Sequence, residues 1–174
     1  MIKKDYTHRQ FLKRLPEEIP LFIGEKIKPC PAEDDDLISV IDWFKCKWPQ
    51  HALSIMHPTN ETMAAHAGYY RQRKAKGLLE GAHDIVLFLP AGNYPFATFE
   101  LKKADHSSKV TEQQIQVALT NINNGAFSCF AYGLKQMKLV ISAYMKLNHT
   151  LQFTFWVIYF HIYCVLLLRK SLAI

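Results

Sequence analysis

Two apolar, β-rich runs facing each other across a short turn set the frame for this chain. Ile85-Val86-Leu87-Phe88-Leu89 and Phe96-Ala97-Thr98-Phe99 flank Pro90-Ala91-Gly92-Asn93-Tyr94-Pro95, whose residues favour a turn, so the pair reads as a β-hairpin. The open end of that hairpin carries chemistry. Asp84 precedes the first run and Glu100-Leu101-Lys102 closes the second, so pairing brings Asp84 beside Glu100 and Lys102. Side chains alternate along a strand, and Lys102 therefore leaves from the same face as Glu100. Two carboxylates on neighbouring strands can share a divalent cation. Such a cation polarises a phosphate and lowers the pKa of a bound water, while an ammonium orients that water or stabilises developing charge. The other reading of Glu100-x-Lys102 is a solvated ion pair on an exposed strand, and the hairpin context is what favours a cluster.

The flanking segments read as helices. Val110-Thr111-Glu112-Gln113-Gln114 opens one whose apolar stripe is Ile115, Ala118, Leu119 and Ile122 and whose end is Asn123-Asn124-Gly125. Gln114 keeps two readings: a capping box in which its amide reaches back to the Thr111 N–H, or a polar group turned toward the hairpin. Upstream, Leu37, Val40, Ile41 and Phe44 are spaced for an amphipathic helix starting near Pro31-Ala32. Glu33-Asp34-Asp35-Asp36 fills its first turn, where the helix dipole favours acids. That accounts for Asp34 and Asp35. Glu33 falls on the buried edge, where a carboxylate needs a partner to offset desolvation.

Taken in order, several stretches resemble the VRR-NUC family of the PD-(D/E)xK nuclease superfamily over roughly Pro31 to Met145. They are Glu33 with Trp43-Phe44 and Trp48-Pro49, His57-Pro58-Thr59-Asn60-Glu61, Gly81-Ala82-His83-Asp84, Phe99-Glu100-Leu101-Lys102-Lys103, and Val110-Thr111-Glu112-Gln113-Gln114 with Gly125 beyond. One departure is His83, where the family usually has proline before the aspartate. The resemblance implies a restriction-endonuclease-like α/β core, a central mixed sheet flanked by helices in the order α-β-β-β-α-β-α. It also implies a DNA endonuclease dependent on Mg2+ or Mn2+. In that reading Asp84 and Glu100 are the principal metal ligands, with the Leu101 carbonyl as a further one, and Glu33 completes or supports the metal sphere. Lys102 is the catalytic lysine. Gln114 is the supporting polar residue, preferred over Gln113 for its distance to Gly125, while Asn60 and Lys103 join the contacts to nucleic acid. Branched or flapped DNA, such as a four-way junction, is the implied substrate. Stand-alone members of the family often act as dimeric junction resolvases of phage or bacterial type, so a homodimer is one option raised by the resemblance alone.

Charge agrees with a polyanionic partner. The formal net charge is +6 and the pI about 9.1. Arg71, Arg73, Lys74 and Lys76 concentrate cations just before the hairpin, where they could hold phosphates, the alternative being a solvated helix face. At 174 residues the chain suits one catalytic core. The expected organisation is an N-terminal arm over 1–30 with a short helix from about Tyr6 to Leu15, a nuclease unit over 31–147, and a hydrophobic tail over 148–174. Cys30, Cys46, Cys129 and Cys164 form no Cys-x-x-Cys pair, which argues against a zinc ribbon and for reduced thiols in the cytoplasm. No signal peptide is expected, since Met1 to Arg14 is basic with no apolar core behind it. Leu151 to Leu168 is nearly continuous apolar sequence before Arg169-Lys170, reaching the lower end of the roughly 17 to 25 residues of a membrane span. A membrane anchor, an additional packed element and a non-functional extension are its three readings. Two other functions compete with the nuclease: a nucleic-acid-binding module that has lost turnover, with His83 as the symptom, and a membrane-associated protein anchored by the tail. Retention of Asp84, Glu100 and Lys102 favours the enzyme.

Overall fold

The hairpin forms at the centre of the molecule. In the computed structural model, which describes residues 5–58 and 67–147, strand β4 (Ile85–Leu87) pairs antiparallel with β5 (Ala97–Lys102), Ile85 opposite Phe99. One more step along that register sets Asp84 opposite Glu100. On its other side β5 runs parallel to β7 (Phe127–Tyr132), with Glu100 beside Phe130 and Lys102 beside Tyr132. Parallel neighbours need a crossover, and helix α4 (Glu112–Asn123) supplies it. β3 (Ile55–Met56) adds antiparallel to β4, and β2 (Leu21–Phe22) adds parallel to β7, giving a five-stranded mixed sheet in the order β2-β7-β5-β4-β3.

Helices cover this sheet on both faces, as an α/β fold with a central mixed sheet requires. Helix α2 (Glu33–Lys47) buries Val40 and Phe44 and packs Leu37 and Ile41 partly, which is the stripe the sequence spacing implies. They join Phe99 and Leu101 of β5 and Met137, Ile141 and Tyr144 of α5, the helix over residues 133–147. The opposite face carries α4, whose Ile115 and Ala118 are buried against Phe130. Helix α3 (Ala67–Ala75) precedes the hairpin.

The N-terminal stretch expected as an arm contributes to this second layer. Its β1 (Asp5–Tyr6) pairs antiparallel with β6 (Val110–Thr111), its helix α1 (His8–Leu12) buries Phe11 against the Phe130 ring, and Ile19 is also buried. The apolar residues of this stretch, Phe11 and Ile19 among them, have a hydrophobic face to cover, which is why it packs on the sheet. Among the described residues no helix is long and apolar enough to cross a membrane. The apolar stretch from Leu151 to Leu168 and residues 59–61, Asn60 among them, lie outside the described residues, as do the side chains of residues 67–70.

Candidate active site

Strand alternation divides the two central strands into an apolar side and a polar side. Ala97, Phe99 and Leu101 point into the α2/α5 core, so Thr98, Glu100 and Lys102 point toward α4. All three are buried, Glu100 to 1% exposure and Lys102 to 3%. That excludes the reading of Glu100 and Lys102 as a solvated pair. The Lys102 ammonium donates to Glu100 Oε1 at 2.7 Å, while Glu100 Oε2 is buried with no hydrogen-bond partner.

Gln114 reaches the same carboxylate. Its Oε1 accepts from the Thr111 N–H at 2.9 Å, its own backbone N–H donates to Thr111 Oγ1 at 3.1 Å, and its Nε2 donates to Glu100 Oε1. Both readings of Gln114 therefore hold together. The capping box fixes the amide's rotamer, and the free end of the fixed amide meets Glu100. Gln113 turns elsewhere, its Oε1 buried without a partner.

Asp84 sits at the mouth of the hairpin, partly exposed, with Oδ2 accepting from the Leu101 N–H at 2.8 Å. His57 holds the backbone there, its Nδ1 2.6 Å from the Asp84 carbonyl oxygen. Glu33 at the start of α2 is half-buried and accepts from the Ser108 hydroxyl, which in turn accepts from the Lys103 N–H at 2.9 Å. The partner that the buried edge of α2 demanded is thus a serine on the loop after β5. Nothing in the spacing of Ser108 singled it out, because a serine in a polar loop is unremarkable until the loop folds back.

Electrostatically the site is short of positive charge. Burial raises the carboxyl of Asp84 well above the ordinary aspartate range, and the Glu100 charge adds to the effect against Lys102. Burial likewise raises Glu100, with Lys102 opposing. For Lys102, burial works to lower the ammonium, but Glu100, Glu33 and Asp84 outweigh it and hold it above the ordinary lysine value. The carboxylates around Lys102 thus favour its charged form. One ammonium does not balance the acids around it.

His83, the departure from the family pattern, belongs to the wall behind the site. It is buried, its Nε2 lies 3.2 Å from the Gln114 carbonyl oxygen and its Nδ1 3.4 Å from Ser128 Oγ. Burial lowers its pKa to about 4, with the Lys102 charge acting in the same direction, so the ring is neutral at pH 7. Ser128 in turn bonds Thr98 at 2.7 Å, and Asn121 of α4 donates to Thr98 at 3.1 Å. The chain reaches this wall through Gly81, at φ +75°, where a Cβ would come within 2.6 Å of the Gln113 backbone. A side chain at that point would push the loop off the first turn of α4.

Sequence reasoning also missed Asp36. The helix dipole explains why acids crowd this turn, but Asp36 is the one that is buried, and it accepts from the Leu134 backbone at the start of α5. Of the residues expected to contact nucleic acid, Arg71, Lys74 and Lys76 are exposed on or just after α3 and Arg73 is half-buried. Lys74 pairs with Glu80 at 3.2 Å, and Lys103 is half-buried at the end of β5. Asn60 lies outside the described residues.

The fit of a divalent cation rests on the donors at hand. Among the described residues, no group of at least three His, Cys, Asp or Glu side chains is arranged to hold a metal ion unaided. Asp84 and Glu100 converge, whereas Glu33 is turned to Ser108. The unpartnered Glu100 Oε2 and the excess of carboxylate over ammonium suit an oxygen-seeking cation on Asp84 and Glu100.

No family model and no curated protein matches the sequence. A solved structure described as "VRR_NUC domain protein" superposes with a TM-score of 0.59 at 23% sequence identity, over 68% of this chain and 91% of that one. At that identity the likeness is one of fold.

Proposed function

We propose that the chain is a metal-dependent DNA nuclease with its reaction centre at Asp84, Glu100 and Lys102. The observation that carries this reading is Glu100 itself, buried, bonded through one oxygen to both Lys102 and Gln114, and left with a second oxygen that has no partner. An unmatched buried carboxylate oxygen costs stability, and native structures keep such groups where they serve a ligand or a reaction. The likeness of fold to a VRR_NUC domain protein supports the same class.

In this reading Asp84 and Glu100, with the Leu101 carbonyl, hold Mg2+ or Mn2+. The cation would polarise the scissile phosphate and generate the attacking hydroxide from water. Lys102, whose charged form the surrounding carboxylates favour, stabilises the negative charge that builds on the phosphate oxygens. Gln114 keeps Glu100 in one orientation, and His57 and the Leu101 N–H keep Asp84 in place beside it. Glu33 supports the site from α2. Arg71, Arg73, Lys74, Lys76, Asn60 and Lys103 are proposed to hold the phosphate backbone, and branched DNA is the substrate class we favour, with the reaction centre itself carried by residues 31–147.

Incubating the purified full chain with duplex, single-stranded, flapped and four-way DNA, with and without Mn2+, tests the reading. Cutting that requires Mn2+ and favours branched substrates is expected. Absence of cutting in every lane would sink the enzyme and leave a binding module.

A further inference from the structure

The loop that follows β5 is held by an arrangement that a packing role alone does not explain. The ring of His106 stacks on that of His8 from α1, with centroids 4.6 Å apart and planes at 29°. Both rings meet Tyr132 edge-on, His8 at 4.9 Å and His106 at 5.2 Å. Tyr132 is the register neighbour of Lys102, so the stack stands at the rim of the candidate site.

Two features mark the stack as more than filler. His8 Nδ1, His106 Nε2 and the Tyr132 hydroxyl are all buried without a hydrogen-bond partner. Each such atom costs on the order of 1–3 kcal/mol, which three apolar rings of similar shape would avoid. His106 also takes a positive φ of 60°, a conformation uncommon for any residue but glycine. The chain bears these costs at the loop where Ser108, two residues on, joins the Lys103 N–H to the Glu33 carboxylate. From the other side, Gly133 at φ +80° lets β7 approach that loop, since a Cβ there would lie 2.7 Å from the Ala104 Cβ.

We propose that His8 and His106, stacked against Tyr132, are positioning residues for Glu33: helix α1, laid over the end of the sheet, holds the loop in the shape in which Ser108 meets that carboxylate. What Glu33 then does rests on the metal-site reading, but its positioning does not. The N-terminal segment becomes part of the site. Acid should loosen the stack, because protonating His8 puts a positive charge beside the His106 ring and Lys26, while Tyr132 below them faces Lys102, Glu33 and Glu100. Burial, then His106 and Lys26, already keeps His8 below the ordinary histidine value, so its neutral form is the stacked one.

The Lys103 amide reports on the loop without any metal or activity, since its hydrogen bond ends on Ser108. Hydrogen exchange at that amide, followed by NMR on the metal-free full chain, should quicken by about 10-fold or more in S108A. His8→Ala and His106→Asn should do the same, asparagine being chosen because it tolerates positive φ. His8→Phe, which keeps a stacking ring, should retain protection. It should also reduce the fall in protection expected of wild type as pH drops below about 6.5. Mn2+ affinity by calorimetry should drop about 10- to 100-fold in S108A and His106→Asn, the range for a residue that orients a ligand. Wild-type protection at Lys103 in both His8→Ala and His106→Asn would overturn the inference, as would tighter Mn2+ binding in S108A. If a variant loses protection across β5 and β7 as well, the pH comparison of wild type with His8→Phe decides, and identical profiles would overturn the inference. Wild type that binds no Mn2+ while the amide results come out as expected would defeat the metal reading and leave the positioning of Glu33 intact.

Discussion

The two faces of β5 and β7 differ by one residue of register and by almost everything else. On one side Ala97, Phe99, Leu101, Cys129 and Ala131 meet α2 and α5 in an apolar core. On the other, Thr98, Glu100, Lys102 and Ser128 lie just as deeply buried under α4, joined to His83, Asn121 and Gln114. The apolar face stabilises by removing surface from water, about 25 cal/mol per Å2. The polar face gains little net stability, because desolvating its charges offsets their attraction. A fold needs only the first kind of layer, so the second is where function is to be sought.

The sharpest break in that comparison is at Glu100. Glu100→Ala should lower cleavage by about 10^3-fold while DNA binding stays near wild type, since the exposed cations are untouched. Cutting at the wild-type rate would show the polar face to be structural. Stability gives the converse test on the apolar face. Phe99→Ala removes a fully buried ring and should cost about 3–5 kcal/mol in denaturant unfolding, and a cost below 1 kcal/mol would mean that this layer is not the core.

The polar face should also titrate as the apolar one cannot. His83 has its pKa lowered to about 4, so the unfolded chain binds protons first as pH falls below about 6.5. Stability is complete above that point and should decline by about 3 kcal/mol between pH 6.5 and 4. His83→Leu should flatten this slope, and an unchanged slope would assign it to other groups. The smallest effect is expected at Thr111, whose hydroxyl caps α4 and fixes the Gln114 backbone. Thr111→Ala should cost about 1 kcal/mol of stability. It should lower turnover more than substrate affinity, because the Gln114 amide then holds Glu100 less firmly.

The sequence by itself determined the hairpin, the stripes of α2 and α4, and the pairing of Asp84 with Glu100 and Lys102. Each follows from a local period, two residues for a strand or 3.6 for a helix, together with a turn that fixes register. The same locality explains the double role of Gln114, a choice the spacing left open and the folded amide resolves by using both of its ends. Only the tertiary structure decided the rest. Ser108 finds Glu33, Asp36 finds Leu134, and His8 finds His106 and Tyr132 across distances along the chain that no local period encodes. His83 reads as a defect in a motif until burial shows it bonded into the wall behind Glu100. For Ser108, Asp36 and His83 the physical reason is that desolvation makes a buried polar group seek a partner, and for these three as for the stacked rings of His8, which neighbour is met is set by the packing of whole layers rather than by the residues beside it.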